Sequence, residues 1–147
     1  MEHKQLLTVF NSLPVGIGFF TADGTLVRCN ESFCRIFGAD SQTLLGNKLN
    51  INENSVVPDV VKEAVRRCVP VQMSFLYDFD KQRTDKRFFS TRTRTCYLKC
   101  NGNPLYDNDG KFVNYIFIFE DITETVKSEE VLRQSRRKTE LAMKAAN

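Results

Sequence analysis

The stretch that decides the fold is NPLYDNDGKFVNYIFIFEDITE, residues 103–124. Six of the seven residues in 113–119 are apolar, and DNDG at 107–110 has the composition of a chain reversal. Apolar side chains occupy both alternating sets of positions in 111–120, so we predict a strand covered on both faces. Helices from the middle of the chain would cover one face, and the terminal helix or a partner chain the other.

The chain after this strand is charged and has no Gly or Pro in residues 124–147. We predict one helix over 123–147, continuous with the strand before it. Its apolar positions are sparse, which indicates a weak parallel coiled coil that needs a neighbour. Two seams are possible: Val131, Ser135, Lys138, Ala142 and Ala145, or Leu132, Ser135, Thr139, Ala142 and Ala146.

The preceding residues alternate between strand and helix signals. Asp-Gly at 23–24 predicts a hairpin, and Asn30 is placed to cap a helix that Gly38 ends. The predicted elements are helix 2–11, strands 16–21 and 25–29, helices 31–37, 41–45 and 58–68, strand 71–79, a polar turn at 80–86, an extended segment 88–106 with a bulge near 101–102, and strand 111–120. This order predicts an α+β fold, a five-stranded antiparallel sheet with short flanking helices and a C-terminal helix.

Length and composition agree with a single domain plus an extension. The chain has 147 residues and a formal net charge of +3, too small to indicate nucleic acid by itself. No apolar run reaches the roughly 20 residues of a membrane span. The five cysteines form no CxxC pair and are best explained as small buried side chains, with reduced thiols in a cytoplasmic protein.

The series of motifs in this order resembles the PAS domain family. The matching pieces are the DG hairpin, RCNESFCRIFG at 28–38, TLLGNKL at 43–49, NPLYDNDGKF at 103–112 and FIFEDITE at 117–124. The resemblance implies a sensory or dimerisation module, common in bacterial sensor histidine kinases. It divides the chain into an N-terminal flanking helix (1–12), a PAS domain (13–123) and a linker helix (124–147) leading to a further domain.

Two sets of candidate site residues follow. Asp121, Ile122 and Thr123 would form a signal-transfer junction between the last strand and the helix, with Asp121 and Thr123 as helix caps. A ligand pocket between the sheet and the short helices would be lined by the side chains of Phe33, Phe37, Val61, Val65, Met73, Phe75, Arg92, Arg94 and Phe117. The alternative is that the apolar members of this second set fill the space completely.

Cofactor and catalytic chemistry is not expected in this chain. Within the resembled family haem usually takes a His ligand, and the only His is His3 at the N-terminus. The order of residues around Cys34 differs from that of the flavin-adduct motif. Cys96 and Cys100 lie about 13 Å apart by strand rise, too far for one metal ion. Asp78 and Asp80 adjoin a polar turn, where solvation explains them better than acid–base catalysis.

The basic segment 86–99 leaves three explanations open. It interleaves Arg87, Arg92, Arg94 and Lys99 with Phe88, Phe89 and Tyr97. Such a strand binds single-stranded nucleic acid, holds a carboxylate ligand, or guards an exposed sheet face with charge, and we favour the last. For the whole chain we expect a homodimeric sensory module that relays to a downstream kinase or second PAS domain, without nucleic acid or membrane contact. A ligand-free protein-interaction module is the alternative.

Overall fold

The computed structural model of the protein describes residues 2–83 and 90–146. In chain order the elements are α1 (His3–Ser12), β1 (Gly16–Phe20), β2 (Leu26–Cys29), α2 (Glu31–Phe37), α3 (Ser41–Gly46), a 3-10 turn (Ile51–Glu53), α4 (Asp59–Arg67), β3 (Val71–Asp78), α5 (Phe79–Gln82), β4 (Thr95–Tyr106), β5 (Phe112–Asp121) and α6 (Thr123–Ala146). The elements reproduce the predicted order of helices and strands, with α5 added.

The strands form one antiparallel sheet in the order β2-β1-β5-β4-β3. The predicted α+β class and the five-stranded antiparallel sheet are therefore confirmed. The last strand, β5, lies at the centre of the sheet and pairs with β1 on one side and β4 on the other. A central strand contacts both halves of the sheet, so a displacement of either half reaches β5.

The inner face of the sheet carries the core. Tyr115, Phe117 and Phe119 of β5 are buried there, against α2. The Phe37 ring centroid lies 5.2 Å from that of Phe119 and 4.6 Å from that of Phe33. A Cβ on Gly16 of β1 would lie 2.9 Å from the Phe33 Cα, so the missing side chain lets α2 pack directly on the sheet.

The outer face is covered only in part. The Phe10 ring of α1 packs on Phe19 at 5.9 Å between centroids, whereas Leu76, Tyr97 and Ile118 are exposed. Helix α6 buries no residue of its own. Of the two covers expected for this face, the terminal helix of the same chain is wrong, because α6 buries none of its residues, whereas cover by a partner chain stays a prediction. Among residues 2–83 and 90–146, α1 covers part of the face through Phe10.

Three local predictions need correction. The extended segment was expected to start at Phe88, which lies outside the described residues, but β4 begins only at Thr95, after bends at 91–94. The bulge expected near residues 101–102 is absent: the ladder is regular there and shifts between Leu105 and Tyr106. The polar turn after β3 begins as the short helix α5, because the Asp78 carboxylate caps it by accepting from two backbone N–H groups.

Asn30 joins three elements and confirms the predicted cap. Its Oδ1 accepts from the backbone N–H groups of Phe33 in α2 and Ile17 in β1, at 3.0 and 2.9 Å. Its Nδ2 donates to the carbonyls of Phe10 and Val15, at 3.0 and 2.9 Å. The side chain is buried with its full hydrogen-bonding capacity used, so it fixes α1, β1 and α2 relative to one another.

Candidate functional site

The candidate site is the junction where β5 ends and α6 begins. The Asp121 Oδ1 accepts hydrogen bonds from the Thr123 backbone N–H at 3.0 Å and from the Thr123 hydroxyl at 2.5 Å. The other carboxylate oxygen, Oδ2, lies 3.2 Å from Nη1 of Arg92. One carboxylate thus holds the first residue of α6 and a guanidinium from a different segment of the chain.

The Thr123 hydroxyl bonds to β4 and to Asp121, and within the described part of the chain it accepts from no N–H of α6, so the predicted cap is seen at Asp121 rather than at Thr123. Its Oγ1 accepts from the Tyr97 backbone N–H at 3.0 Å, and the Tyr97 carbonyl accepts from Ile122 N–H at 2.9 Å. The last formal pair of the β4–β5 ladder is Leu98 with Asp121. The hydroxyl therefore stands in for a backbone carbonyl and extends the ladder into the first residue of α6. No flexible residue separates sheet from helix.

Arg92 connects the junction to the core helix α2. Its Nη1 donates to the Ile36 carbonyl at 2.9 Å as well as to Asp121, and its guanidinium lies 4.7 Å from the Phe79 ring centroid. The free carbonyls at a helix C-terminus carry partial negative charge, so a cation there is favourable. The Arg92 side chain is 31% exposed and that of Asp121 30%, so water reaches the pair.

The residues beside Arg92 hold the same end of α2. The buried Ser90 hydroxyl donates to the Phe37 carbonyl at 2.7 Å, and the Thr91 N–H donates to the Gly38 carbonyl at 2.7 Å. Gly38 has φ +67°, and a Cβ on it would lie 2.5 Å from the Ser90 Oγ. The left-handed glycine ends α2 and also makes room for this clamp, which we define as residues 90–92.

The electrostatics of Asp121 reflect these partners. Burial raises its pKa, but hydrogen bonds from Thr123 and the charge and hydrogen bond of Arg92 outweigh burial, and the pKa lies below its usual value. The Asp121 carboxylate is therefore ionised at neutral pH, the state in which it pairs with Arg92 and accepts from Thr123. The junction is consequently intact at neutral pH and loses its charge only in acid.

The apolar residues predicted to line a pocket lie in one region, where some are buried and others are half-buried. Phe33, Phe37, Val61, Val65 and Phe117 are buried in the continuous core cluster, and half-buried Met73 and Phe75 pack against it. The aromatic rings of this region pack against one another; for example, the ring centroids of Phe37 and Tyr77 are 5.5 Å apart. That close packing is the arrangement expected if the side chains fill the space themselves.

The two predicted pocket arginines differ. One explanation for Arg92 was that it binds the carboxylate of a ligand. In the structure it pairs with a carboxylate of the same chain, that of Asp121. Arg94 is exposed, has φ +64°, and offers its backbone carbonyl to the Phe79 N–H at 2.8 Å. Neither arginine lies on a strand, because β4 begins only at Thr95. Arg87, Phe88 and Phe89 of the basic segment lie outside the described residues.

Other chemistry-bearing side chains are engaged in structure. Asp78 caps α5, and Asp80 pairs with Arg83 at 3.3 Å. Cys96 and Cys100 are buried on the inner face of β4. Within residues 2–83 and 90–146, no group of three or more His, Cys, Asp or Glu side chains could hold a metal ion. Over the same residues, no helix combines the length and apolar character needed to cross a bilayer.

Sequence reasoning missed the clamp. Ser90, Gly38 and Tyr97 were not singled out as site residues, and the contacts of Ser90 and Thr91 with α2 span 53 residues along the chain. A serine in a polar stretch carries no periodic signal. The sequence correctly predicted that Gly38 ends α2. Its second role, leaving room for the Ser90 side chain, depends on tertiary packing and could not be predicted.

Comparisons with known proteins agree with this architecture. The family described as "PAS fold" matches residues 10–127. No match is found among curated proteins. Similar solved structures include an RNA-binding Light-Oxygen-Voltage receptor (18% identity, TM-score 0.67, 91% of this chain and 37% of that chain) and a PAS domain from Colwellia psychrerythraea (16%, TM-score 0.61, 82% and 97%).

A third similar structure is a PAS domain from a two-component sensor histidine kinase (14% identity, TM-score 0.57, 80% of this chain and 94% of that chain). At these identities the structural likeness establishes the fold alone. The present chain spans little more than a third of the Light-Oxygen-Voltage receptor. The match to the family over residues 10–127, together with the sheet and helices described above, identifies the protein: this chain belongs to the PAS fold family.

Proposed function

We propose that the domain is a sensory module of a signalling protein and that its junction (Asp121, Ile122 and Thr123) relays a change in the sheet or in α2 to α6. The observation that carries the proposal is the double attachment of Asp121, to Thr123 on one side and to Arg92 on the other. A shift of the α2 C-terminus moves Arg92 through the Ile36 carbonyl, and Arg92 moves the carboxylate that positions the first turn of α6.

The output lies C-terminal to this chain in the proposal, because α6 buries none of its residues in this domain and is exposed along most of its length. A histidine kinase of a two-component system is the favoured output, because one similar structure is a PAS domain from a two-component sensor histidine kinase. A second PAS domain is the other candidate. The domain itself has no catalytic role in this scheme, works in the cytoplasm, and ends at residue 123, where the linker helix takes over.

Dimerisation is the second part of the proposal. Leu76, Tyr97 and Ile118 leave an exposed apolar surface on the outer face, and Val131 and Leu132 are exposed on α6. Burial of these side chains against a second copy would remove apolar surface from water, which favours a homodimer by about 25 cal/mol for each Å² before the entropic cost of association is subtracted. We expect Leu76→Ser to shift sedimentation toward the monomer, and Val60→Ser, which changes an exposed side chain of α4 rather than of the sheet, to leave it unchanged. Equal behaviour of the two variants would contradict this interface.

The relay is tested by amide hydrogen exchange on the chain with Asp121→Asn or Arg92→Gln. Both variants are expected to lower protection at the start of α6 and also at the C-terminal end of α2. The matched control is Glu63→Gln, which removes an exposed ion pair with Arg66 on α4 and touches neither end. Loss of protection confined to α6 in both variants would show that the junction is a cap only.

A ligand-free interaction module is the second candidate function, favoured by the close packing of the predicted pocket residues. Native mass spectrometry separates the two. A small mass that disappears on denaturation would establish a ligand and a sensor that binds it. Retention of the bare mass across a panel of added metabolites would favour the interaction module, in which partner contact supplies the signal.

A further inference from the structure

Two cysteines meet beside the Asn30 hub without forming a disulfide bond. Cys29 is the last residue of β2 and Cys34 lies one helical turn into α2, where its N–H donates to the Asn30 carbonyl at 3.3 Å. Their Sγ atoms are 3.9 Å apart, and both side chains are half-buried. The two thiols flank the residue that joins α1, β1 and α2.

We propose that Cys29 and Cys34 are a redox-sensitive pair that closes into an intramolecular disulfide when a peroxide oxidises it. A disulfide needs an S–S distance of about 2.05 Å. The Sγ atoms, now 3.9 Å apart, must therefore approach each other by about 2 Å.

The chemistry balances with hydrogen peroxide as the oxidant. One cysteine loses its proton, and its thiolate sulfur attacks one oxygen of the peroxide, so that the O–O bond breaks to give a sulfenic acid and hydroxide. The hydroxide takes up the proton that the thiol released and leaves as the first water. The sulfur of the second cysteine then attacks the sulfenic sulfur, forms the S–S bond and releases the second water. The two thiols lose two hydrogens and two electrons in total, and the peroxide is reduced to two waters.

The other cysteines lack this geometry. Cys96 and Cys100 are buried on β4 and separated by about 13 Å of strand rise. Cys68 lies at the end of α4, with its Sγ 3.7 Å from the Tyr106 hydroxyl. The pair at the hub is consequently the one that oxidation should select.

The burial of Cys29 and Cys34 determines how fast they react with peroxide. Burial raises the pKa of Cys29 to about 12, with a smaller contribution from Cys34, and burial also raises the pKa of Cys34. The thiolate is the nucleophile, so the pair reacts slowly at neutral pH and faster as the pH rises. The pair therefore suits sustained exposure to oxidant rather than a brief pulse.

The consequence would be a tighter hub. The bridge would close a six-residue ring around Asn30, whose side chain holds the Ile17 and Phe33 N–H groups. We expect amide exchange at these two positions to slow in the oxidised chain and to recover after reduction. Unchanged exchange in a chain shown to be oxidised would overturn this consequence.

The decisive experiment is peptide mapping of the purified chain after hydrogen peroxide treatment. Trypsin cleaves after Arg28 and Arg35, so residues 29–35 (CNESFCR) emerge as one peptide that holds both cysteines. We expect this peptide to be lighter by two hydrogens and to regain that mass with a phosphine reductant. A peptide that stays fully reduced, gains oxygen only, or is linked to another cysteine would overturn the proposal.

Variants check the assignment. Cys34→Ser should abolish the reversible mass loss, whereas Cys68→Ser, the control at a third half-buried cysteine, should retain it. The wild-type peptide decides the question even if Cys34→Ser folds poorly. The rate of disulfide formation should rise with pH, and a rate that is flat between neutral and alkaline pH would contradict attack by the buried thiols.

Discussion

Two hubs join strands to helices in this domain, and they are built differently. Asn30, between β2 and α2, is neutral and 1% exposed, and each of its four hydrogen bonds goes to a backbone group. Asp121, between β5 and α6, is charged and about a third exposed, and it is held by the side chain of Arg92 as well as by Thr123.

The difference indicates which junction can change state. If Asn30 moved, four backbone groups would lose their partner in a place where little water reaches them, and each unmade bond is costly. If Asp121 moved, water would replace Arg92 at modest cost, because exposed ion pairs contribute little. The first hub therefore fixes the fold, and the second can shift between arrangements in response to a signal.

The largest expected effect comes from breaking the buried hub. Asn30→Ala removes the side-chain partner of two N–H and two carbonyl groups and should lower the free energy of unfolding by about 3 kcal/mol. Urea denaturation followed by circular dichroism measures the loss. The control is Asp40→Ala, which removes the exposed cap of α3 that accepts from the Thr43 N–H, and a smaller loss is expected there. Equal losses would contradict the contrast between a buried hub and an exposed cap.

A smaller effect is expected from separating α2 from the clamp. Gly38→Ala places a Cβ 2.5 Å from the Ser90 Oγ at a φ of +67°, and should cost about 2 kcal/mol of stability. Gly110→Ala is the matched control, because its φ of +77° imposes a similar backbone strain while nothing lies within 4 Å of the added Cβ. The difference in thermal unfolding midpoint between the two variants reports the clamp contact. No difference would mean that the clamp yields freely.

The charged hub should contribute less to stability. Arg92→Gln and Asp121→Asn are each expected to cost about 1 kcal/mol, since the pair is partly exposed but hydrogen-bonded on both sides. The double variant should cost less than the sum of the two, because both changes break the same contact. Denaturant unfolding of all four chains gives the coupling energy. Strict additivity would show that the two side chains act independently.

The pH dependence of stability should be the smallest signal. The pKa of Asp121 is lower in the folded chain than in the unfolded one, so its contribution to stability is complete above the ordinary carboxyl value of about 3.9. This contribution is lost as the pH falls through the folded value. The measurement is the free energy of unfolding of wild type and of Asp121→Asn at a series of pH values from mildly acidic to more acidic. The difference between the two chains isolates the contribution of the Asp121 charge. The stability difference should shrink toward low pH, and a constant difference would contradict the assignment.

Much of the fold could be predicted from local pattern. The Asp-Gly hairpin, the Asn30 cap and the two-sided apolar character of β5 are each encoded within a few neighbouring residues. The start of β4 was placed too early, because aromatic and basic residues at 86–94 imitate a strand, although bends at 91–94 precede it. The cover of the outer face by α1 was also missed, since amphipathic character does not show which surface a helix packs on.

Only the contacts between residues close in sequence could be predicted for the candidate site. Asp121 and Thr123 are two residues apart, so their mutual bond follows from the sequence as a capping motif. Arg92 lies 29 residues before Asp121, and its contact with the Ile36 carbonyl spans 56 residues. Such contacts depend on tertiary packing, and an arginine in a basic stretch gives no signal of its partner.

The most direct test of the account is a pH titration of backbone amide shifts by nuclear magnetic resonance, on wild type and on Arg92→Gln. The Thr123 N–H reports Asp121 directly, and the Thr91 N–H, bonded to the Gly38 carbonyl, reports the far side of the clamp. In wild type we predict that both shift with one midpoint below the ordinary aspartate value. In Arg92→Gln only Thr123 should follow Asp121. A Thr91 amide that ignores the titration in wild type, or follows it equally in the variant, would contradict a relay through Arg92.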